Sequence, residues 1–182
     1  MLHSLTLPKY ENVKSLDGTG NFAVDRYYKF PFSFFYRMKL RLILSMFEKG
    51  YIYRNILDFG CGKANILKPE LSKRALNVVS IDQQDHLDPR SKFDVIICGS
   101  ILEFVDLEPV CQSLRHYVHP TGMIIVSSPL QNLFTNLYFK AIGDRWKRHS
   151  HKEIVDCLSK YFFIVKYRTW LGLYFVLKGY PK

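Results

Sequence analysis

Four short aliphatic runs limit what this chain can fold into. They lie at 54–59, ending Ile56-Leu57-Asp58-Phe59; at 77–82, Asn77-Val78-Val79-Ser80-Ile81-Asp82; at 93–99, Phe93-Asp94-Val95-Ile96-Ile97-Cys98-Gly99; and at 122–127, Gly122-Met123-Ile124-Ile125-Val126-Ser127. Each is too short for a buried helix and too continuous for a strand with one wet face, so they read as strands covered on both sides. Helical patterns fill the spaces at 63–74, where Pro69 can bend the helix, at 107–117 and at 151–160. Two further β-rich runs, 161–169 and 172–179, are joined by Trp170-Leu171-Gly172. Such closeness demands a hairpin, so the last strand must run antiparallel to the rest. The pattern predicts a doubly wound, mostly parallel α/β sheet ending in an antiparallel hairpin.

Between Asp82 and Phe93 lie ten residues, too few for another helix and parallel strand. One βα unit after the second strand is therefore expected to be reduced or missing, leaving 77–82 at a sheet edge open to pairing.

No repeat or linker divides the 182 residues, so a single domain over 1–182 is expected. Residues 1–50 form an N-terminal aromatic and basic cap, irregular over 1–25 and helical after Pro31, with Leu40, Ile43, Leu44 and Phe47 as its apolar stripe. Residues 51–182 form the core. Apolar stretches are broken by Lys and Arg short of a membrane span, and the first residues lack the basic start and apolar run of a secretory signal. Cys61, Cys98, Cys111 and Cys157 have no paired spacing for zinc or redox chemistry; no metal site is expected, and a cytoplasmic location is.

The chain carries a formal net charge of +10, and its distribution matters. Residues 1–55 hold nine Lys/Arg against four Asp/Glu, and residues 131–182 hold ten against three, whereas 56–130 are slightly acidic. The positive field flanks the centre of the chain and favours an anionic partner.

The first strand runs into Asp58-Phe59-Gly60-Cys61-Gly62-Lys63-Ala64. A dinucleotide loop, G-x-G-x-x-G, would need its third glycine at Asn65, which does not fit. The alternative pattern, two apolar residues followed by D/E-x-G-x-G-x-G, is met except that Ala64 replaces the last glycine. Alanine suffices there if the residue has a negative φ.

With Asp82 closing the second strand, Phe93-Asp94-Val95-Ile96 opening the third, Ser100-Ile101-Leu102-Glu103-Phe104 beyond it and Val118-His119-Pro120-Thr121-Gly122 before the fourth, the chain resembles class I S-adenosylmethionine (SAM)-dependent methyltransferases from about Ile56 to its end. That resemblance implies a Rossmann-like sheet with SAM as cofactor. Asp58 would orient the glycine loop or the cofactor's amino group, with Gly60, Cys61 and Gly62 close to its amino-acid end. Asp82, 22 residues after Gly60, would accept the ribose hydroxyls. Gln83 would lie beside the adenine, and Gly99, Ser100 and Ile101 would line the methionine side. The sequence departs from many relatives at Phe104, where they carry His, and in the missing unit that usually brings another acidic residue to the adenine. Asp85 and His86 lie in its place.

Methyl transfer from a sulfonium is an in-line displacement that positioning and desolvation can largely catalyse. No Asp/Asn-Pro-Pro-Tyr/Phe run follows 93–99 and no Pro-Cys pair ends a strand, so amino-methylation of DNA bases and cytosine C5 chemistry are disfavoured. Segment 129–149 is expected to cover the substrate. Ser150 and Glu153 form a capping box that opens the 151–160 helix, and similar stretches in small-molecule and lipid-linked methyltransferases place a His beside the acceptor. This makes His149 the candidate general base or acceptor partner. Aromatic residues mixed with cations at 26–41 and 134–148 make Tyr28, Tyr138 and Trp146 candidate substrate contacts. The favoured reading is methylation of a small-molecule or lipid-linked acceptor, with peripheral contact to an anionic membrane, at the inner face. An RNA methyltransferase and a degenerate, non-catalytic binding protein are the alternatives, and the oligomeric state is open.

Overall fold

The computed structural model describes residues 5–7, 9, 22–30, 32–62, 64–82, 87–133, 135–137 and 149–182. Six strands form one sheet: β1 (Tyr53–Phe59), β2 (Ala75–Ile81), β3 (Phe93–Gly99), β4 (Val118–Pro129), β5 (Phe162–Trp170) and β6 (Tyr174–Pro181). Their spatial order is β2-β1-β3-β4-β6-β5. The β1/β2, β1/β3 and β3/β4 pairs are parallel, and β6 runs antiparallel to both β4 and β5. β2 lies at the edge, as the short Asp82–Phe93 connection requires. The hairpin closes through Leu171 and Gly172, both with positive φ (46° and 65°), the geometry of a tight turn that follows strand twist.

Successive residues of the central strands feed opposite faces. Leu57, Ile96, Cys98, Ile124 and Val126 join one cluster with Leu107, Cys111 and Leu114 of helix α4 (Leu107–Tyr117) and Ile154, Cys157 and Leu158 of α5 (His151–Tyr161). Ile56, Val95, Ile97, Met123 and Ile125 join the other, covered by Leu40 and Ile43 of α2 (Phe32–Leu44), by Met46 and Phe47, and by Leu71. Both faces of the sheet are apolar because both are covered.

A short helix, α1 (Phe22–Tyr28), precedes α2, so the chain is already helical at the end of the expected irregular lead-in. Residues 10–21 of that lead-in lie outside the described residues. The expected 63–74 helix shrinks to α3 (Lys68–Leu71). Asn65 takes a left-handed φ of 48°, and Pro69 sits in the first turn without an N–H to donate. Turns bonded to the third preceding residue connect Asn65 to Gly62 and Lys68 to Asn65 instead.

β4 starts four residues earlier than the apolar run suggests. Phe93 pairs with Val118 and Val95 already pairs with Met123, which loops out the intervening turn. Gly122 makes that close approach: a Cβ there would lie 2.8 Å from the Asp94 carbonyl oxygen and 2.9 Å from that of Phe93.

Candidate functional site

The carboxyl ends of β1, β2 and β3 meet at one edge, where doubly wound sheets bind ligands. Backbone bonds join them: the Gly60 and Cys61 amides both donate to the Ile81 carbonyl oxygen (2.8 and 3.2 Å), and the Ser100 amide donates to that of Ser127 (2.8 Å). Gly60 and Gly62 have φ of +76° and +62°, a backbone that favours glycine. Their surroundings differ. A Cβ on Gly60 would lie 2.6 Å from Ile101 Cβ, whereas one on Gly62 or Gly99 would meet nothing within 4 Å. Gly60 therefore serves packing against Ile101, and among the described residues the space over Gly62 and Gly99 is open. Ala64 is absent from the positive-φ residues, and the left-handed step falls on Asn65, a residue that tolerates it. The missing third glycine is thereby explained. The Asn65 side-chain oxygen is buried with no hydrogen-bond partner among the described residues.

Asp58, at the end of β1, is 3% exposed. Burial pushes its carboxyl up to about 7, because the charged form has lost its water. Burial is the cause of that shift among the described residues. Tyr27 of α1 lies close enough to feel it: burial raises that phenol to about 12, Arg26 pulls down and the Asp58 charge pushes up. Asp82 follows β2, half-buried beside the glycine turn. Ser100, just past β3, has a φ of 66°, an uncommon backbone for serine.

The cap contributes a group that the sequence reading overlooked. Lys39 of α2 is 4% exposed, with its ammonium 5.9, 5.3 and 5.5 Å from the ring centroids of Tyr27, Tyr36 and Tyr174. Its Nζ approaches Ser100 Oγ at 3.4 Å. The Arg26 guanidinium lies over the Tyr36 ring, 5.7 Å from its centroid, and Nη1 donates to the Tyr36 hydroxyl at 3.2 Å. The available signal was helical spacing: Tyr36, Lys39, Leu40 and Ile43 share the buried stripe of α2. A lysine in such a stripe is more commonly a snorkelling surface residue, so the spacing alone does not mark it as buried.

His149 reaches the same edge through its backbone. Its amide donates to the Glu103 carbonyl oxygen at 3.4 Å. Next to it, the Glu153 amide donates to Ser150 Oγ (3.2 Å), and the Ser150 amide donates to the Glu153 carboxylate (2.7 Å). The capping box thus fixes where α5 starts and where His149 stands. Tyr28 is half-buried against the cluster under α2, and its neighbour Tyr27 is the residue beside Asp58. Gln83, Tyr138 and Trp146 lie outside the described residues, as do Asp85, His86 and most of the 134–148 segment.

Asp58 makes a stability prediction. Its folded carboxyl titrates near 7 against an ordinary 3.8, so the native state holds the proton more tightly than the unfolded chain. Stability should fall as pH rises from about 4 to about 7 and then level off. Asp58→Asn, measured by chemical denaturation across pH 4–8, should lose this slope; an unchanged slope would show that Asp58 does not carry it.

No protein-family model matches the chain, and no curated protein sequence matches it. Solved structures do. The PH0226 protein from Pyrococcus horikoshii OT3 superposes with a TM-score of 0.66 at 12% identity, covering 91% of this chain and 100% of that one. The N-methyltransferase NodS from Bradyrhizobium japonicum WM9, in complex with S-adenosyl-L-homocysteine, gives 0.62 at 15% identity, covering 94% and 97%. Magnesium protoporphyrin IX methyltransferase (ChlM) from Synechocystis PCC 6803, with bound S-adenosylhomocysteine, gives 0.60 at 16% identity, covering 96% and 100%. Sheet order, glycine turn and these likenesses agree: the chain has the fold of the class I SAM-dependent methyltransferases.

Proposed function

We propose that this protein is a SAM-dependent methyltransferase acting on a small-molecule or lipid-linked acceptor. The observation that carries the reading is the Asp58 carboxyl, buried to 3% exposure and shifted by that burial, next to space over Gly62 and Gly99 that is open among the described residues. A buried carboxyl of this kind suits an ammonium-bearing ligand, and the amino-acid end of SAM supplies one. When bound, SAM offers a methyl group on a sulfonium, a good leaving group. Asp58 holds the ammonium, Asp82 accepts from the ribose diol, Gln83 lies beside the adenine, and Gly99, Ser100 and Ile101 flank the methionine side. Cys61 presents its backbone in the turn.

Such transfer needs little from the protein beyond orientation and exclusion of water. His149, fixed at the rim by the capping box, takes the acceptor's proton or hydrogen-bonds its nucleophile.

The rim favours a lipid-linked acceptor. Phe30 (87% exposed), Phe34 (53%), Leu171 (66%), Leu133 (77%) and Leu137 (59%) expose large apolar side chains. Phe34 packs on Trp170 with ring centroids 5.7 Å apart, and Asn132 donates to the Gly172 carbonyl oxygen at 2.7 Å. Three segments are thereby drawn to one end of the molecule, within a chain of net charge +10. Apolar groups amid positive charge suit an anionic lipid surface. Among the described residues no helix is long and apolar enough to cross a membrane, so such contact would be peripheral.

Three measurements test this reading. Calorimetry with S-adenosylhomocysteine should show saturable binding that strengthens about tenfold between pH 6 and pH 8, as Asp58 ionises. Asp82→Ala should weaken it strongly; no binding by the wild type, or an undiminished Asp82→Ala variant, overturns the proposal. His149→Ala should slow transfer of label from methyl-labelled SAM into a lipid extract by roughly a hundredfold while leaving S-adenosylhomocysteine binding intact, and an unchanged rate removes His149 from the reaction. Vesicles containing phosphatidylglycerol should sediment the protein at low salt, less so at high salt, and less again with Phe34→Ser and Leu171→Ser combined. Equal sedimentation of that variant excludes the rim as the contact.

A further inference from the structure

We propose that the protein forms a two-fold symmetric dimer through the open edge of β2, which pairs antiparallel with a second copy so that one sheet runs through both subunits. The inference is independent of the methyltransferase reading.

The sheet has two edges, and they are built differently. β5, at one end, carries Lys166 and Arg168 and has a register shift between Ile164 and Lys166. Charges and bulges are the devices that keep an edge strand from pairing with another chain. β2, at the other end, has neither. Its sequence is Ala75-Leu76-Asn77-Val78-Val79-Ser80-Ile81, without a charged residue in a chain of net charge +10. Its register against β1 is unshifted from the Tyr53–Ala75 pair to the Phe59–Ile81 pair. Leu76 is 80% exposed on this bare edge.

The backbone of β2 fixes how a partner strand lies against it. Ile81 turns its carbonyl oxygen toward β1, where the Gly60 and Cys61 amides donate to it. Successive residues turn their hydrogen-bonding groups to opposite sides, so Ser80 and Val78 present theirs at the open edge. Among the described residues, no backbone bond from outside the sheet reaches them. A two-fold axis through Val78 uses the whole strand. Val78 then exchanges both backbone bonds with the partner subunit's Val78, and Leu76 stands opposite the partner subunit's Ser80. Leu76 also lies diagonal to the partner subunit's Val78, within side-chain reach, so an exposed apolar side chain gains an apolar neighbour.

Charge selects both the orientation and the occupant. Arg74 precedes the strand, held to Glu70 at 2.7 Å, and Asp82 follows it. Antiparallel pairing about Val78 sets the basic start of each strand against the acidic end of the other, with Arg74 facing the partner subunit's Asp82. Parallel pairing would set like charge against like at both ends. A second copy therefore meets this edge with an uncharged ladder closed at each end by opposite charges.

Sedimentation velocity on the full chain tests the proposal. A single strand ladder is a small interface, so the wild type should pass from monomer to dimer with a dissociation constant on the order of micromolar. Leu76→Lys, at an exposed position, should weaken the dimer about tenfold or more. Val78→Pro, which removes an N–H that β1 does not use, should do the same and carries the comparison if Leu76→Lys does not fold. Val78→Cys should yield a covalent dimer under mild oxidation, because Cα atoms of such a pair lie about 5.5 Å apart, within disulfide reach. Thr169→Cys, exposed on the β5 edge, should yield no more than the wild type with its own Cys61. A wild type that stays monomeric at roughly 100 µM, well above the expected range, overturns the proposal. So does a dimer that both Leu76→Lys and Val78→Pro leave intact, or covalent capture through Thr169→Cys and not Val78→Cys. Loss of the dimer in Phe34→Ser combined with Leu171→Ser would move the interface to the apolar rim and overturn it as well.

Discussion

Parallel pairing of β2, β1, β3 and β4 brings three chain exits to one edge of the sheet, and every candidate functional group depends on that convergence. Parallel strands must be joined by crossovers on the faces, so both faces are covered and the interior excludes water. The two apolar clusters do this covering with alternate residues of the same strands, Ile96 and Cys98 to one side, Val95 and Ile97 to the other. A carboxylate at the end of such a strand is dry on most sides. Asp58 is therefore shifted by burial.

The N-terminal cap acts on the same edge from above. α1 and α2 lay Tyr27, Tyr36 and Lys39 over the ends of β3 and β6, so the cap both roofs the apolar cluster and brings a cation to the sheet edge. Its outer side exposes Phe30 and Phe34, and Phe34 meets Trp170 of the terminal hairpin. One segment thus contributes to core packing, to site charge and to the apolar rim. The positive charge of the flanking segments, which looked like a diffuse surface property, has a buried component in Lys39.

The strands were legible because continuous aliphatic runs bounded by polar residues have few other uses in a chain of this size. The hairpin was legible because Trp170-Leu171-Gly172 leaves no room for a crossover. The 63–74 helix was misread because apolar spacing outvoted two local facts, a proline at 69 and an asparagine able to turn left-handed at 65. The start of β4 was misread because the looped-out turn before Gly122 interrupts the apolar pattern without interrupting the pairing of Val118 with Phe93. At the site, Asp58, Gly60 and Gly62 announced themselves by spacing along the chain. Gly60 proved to make room for Ile101, a contact 41 residues away in sequence that no local pattern encodes.

The sequence by itself determined the strand set, the reversed last strand, the shortened connection after Asp82 and the position of the glycine turn. All of these follow from local hydrophobic patterning and chain length. Only the tertiary structure decided that a lysine on the apolar stripe of α2 turns inward to a ring of three tyrosines, that the buried Ser127 hydroxyl has no partner among the described residues, and that His149 is tied to Glu103. Each of these is a property of two or more segments distant in sequence. Desolvation and ring contacts exist only once those segments meet.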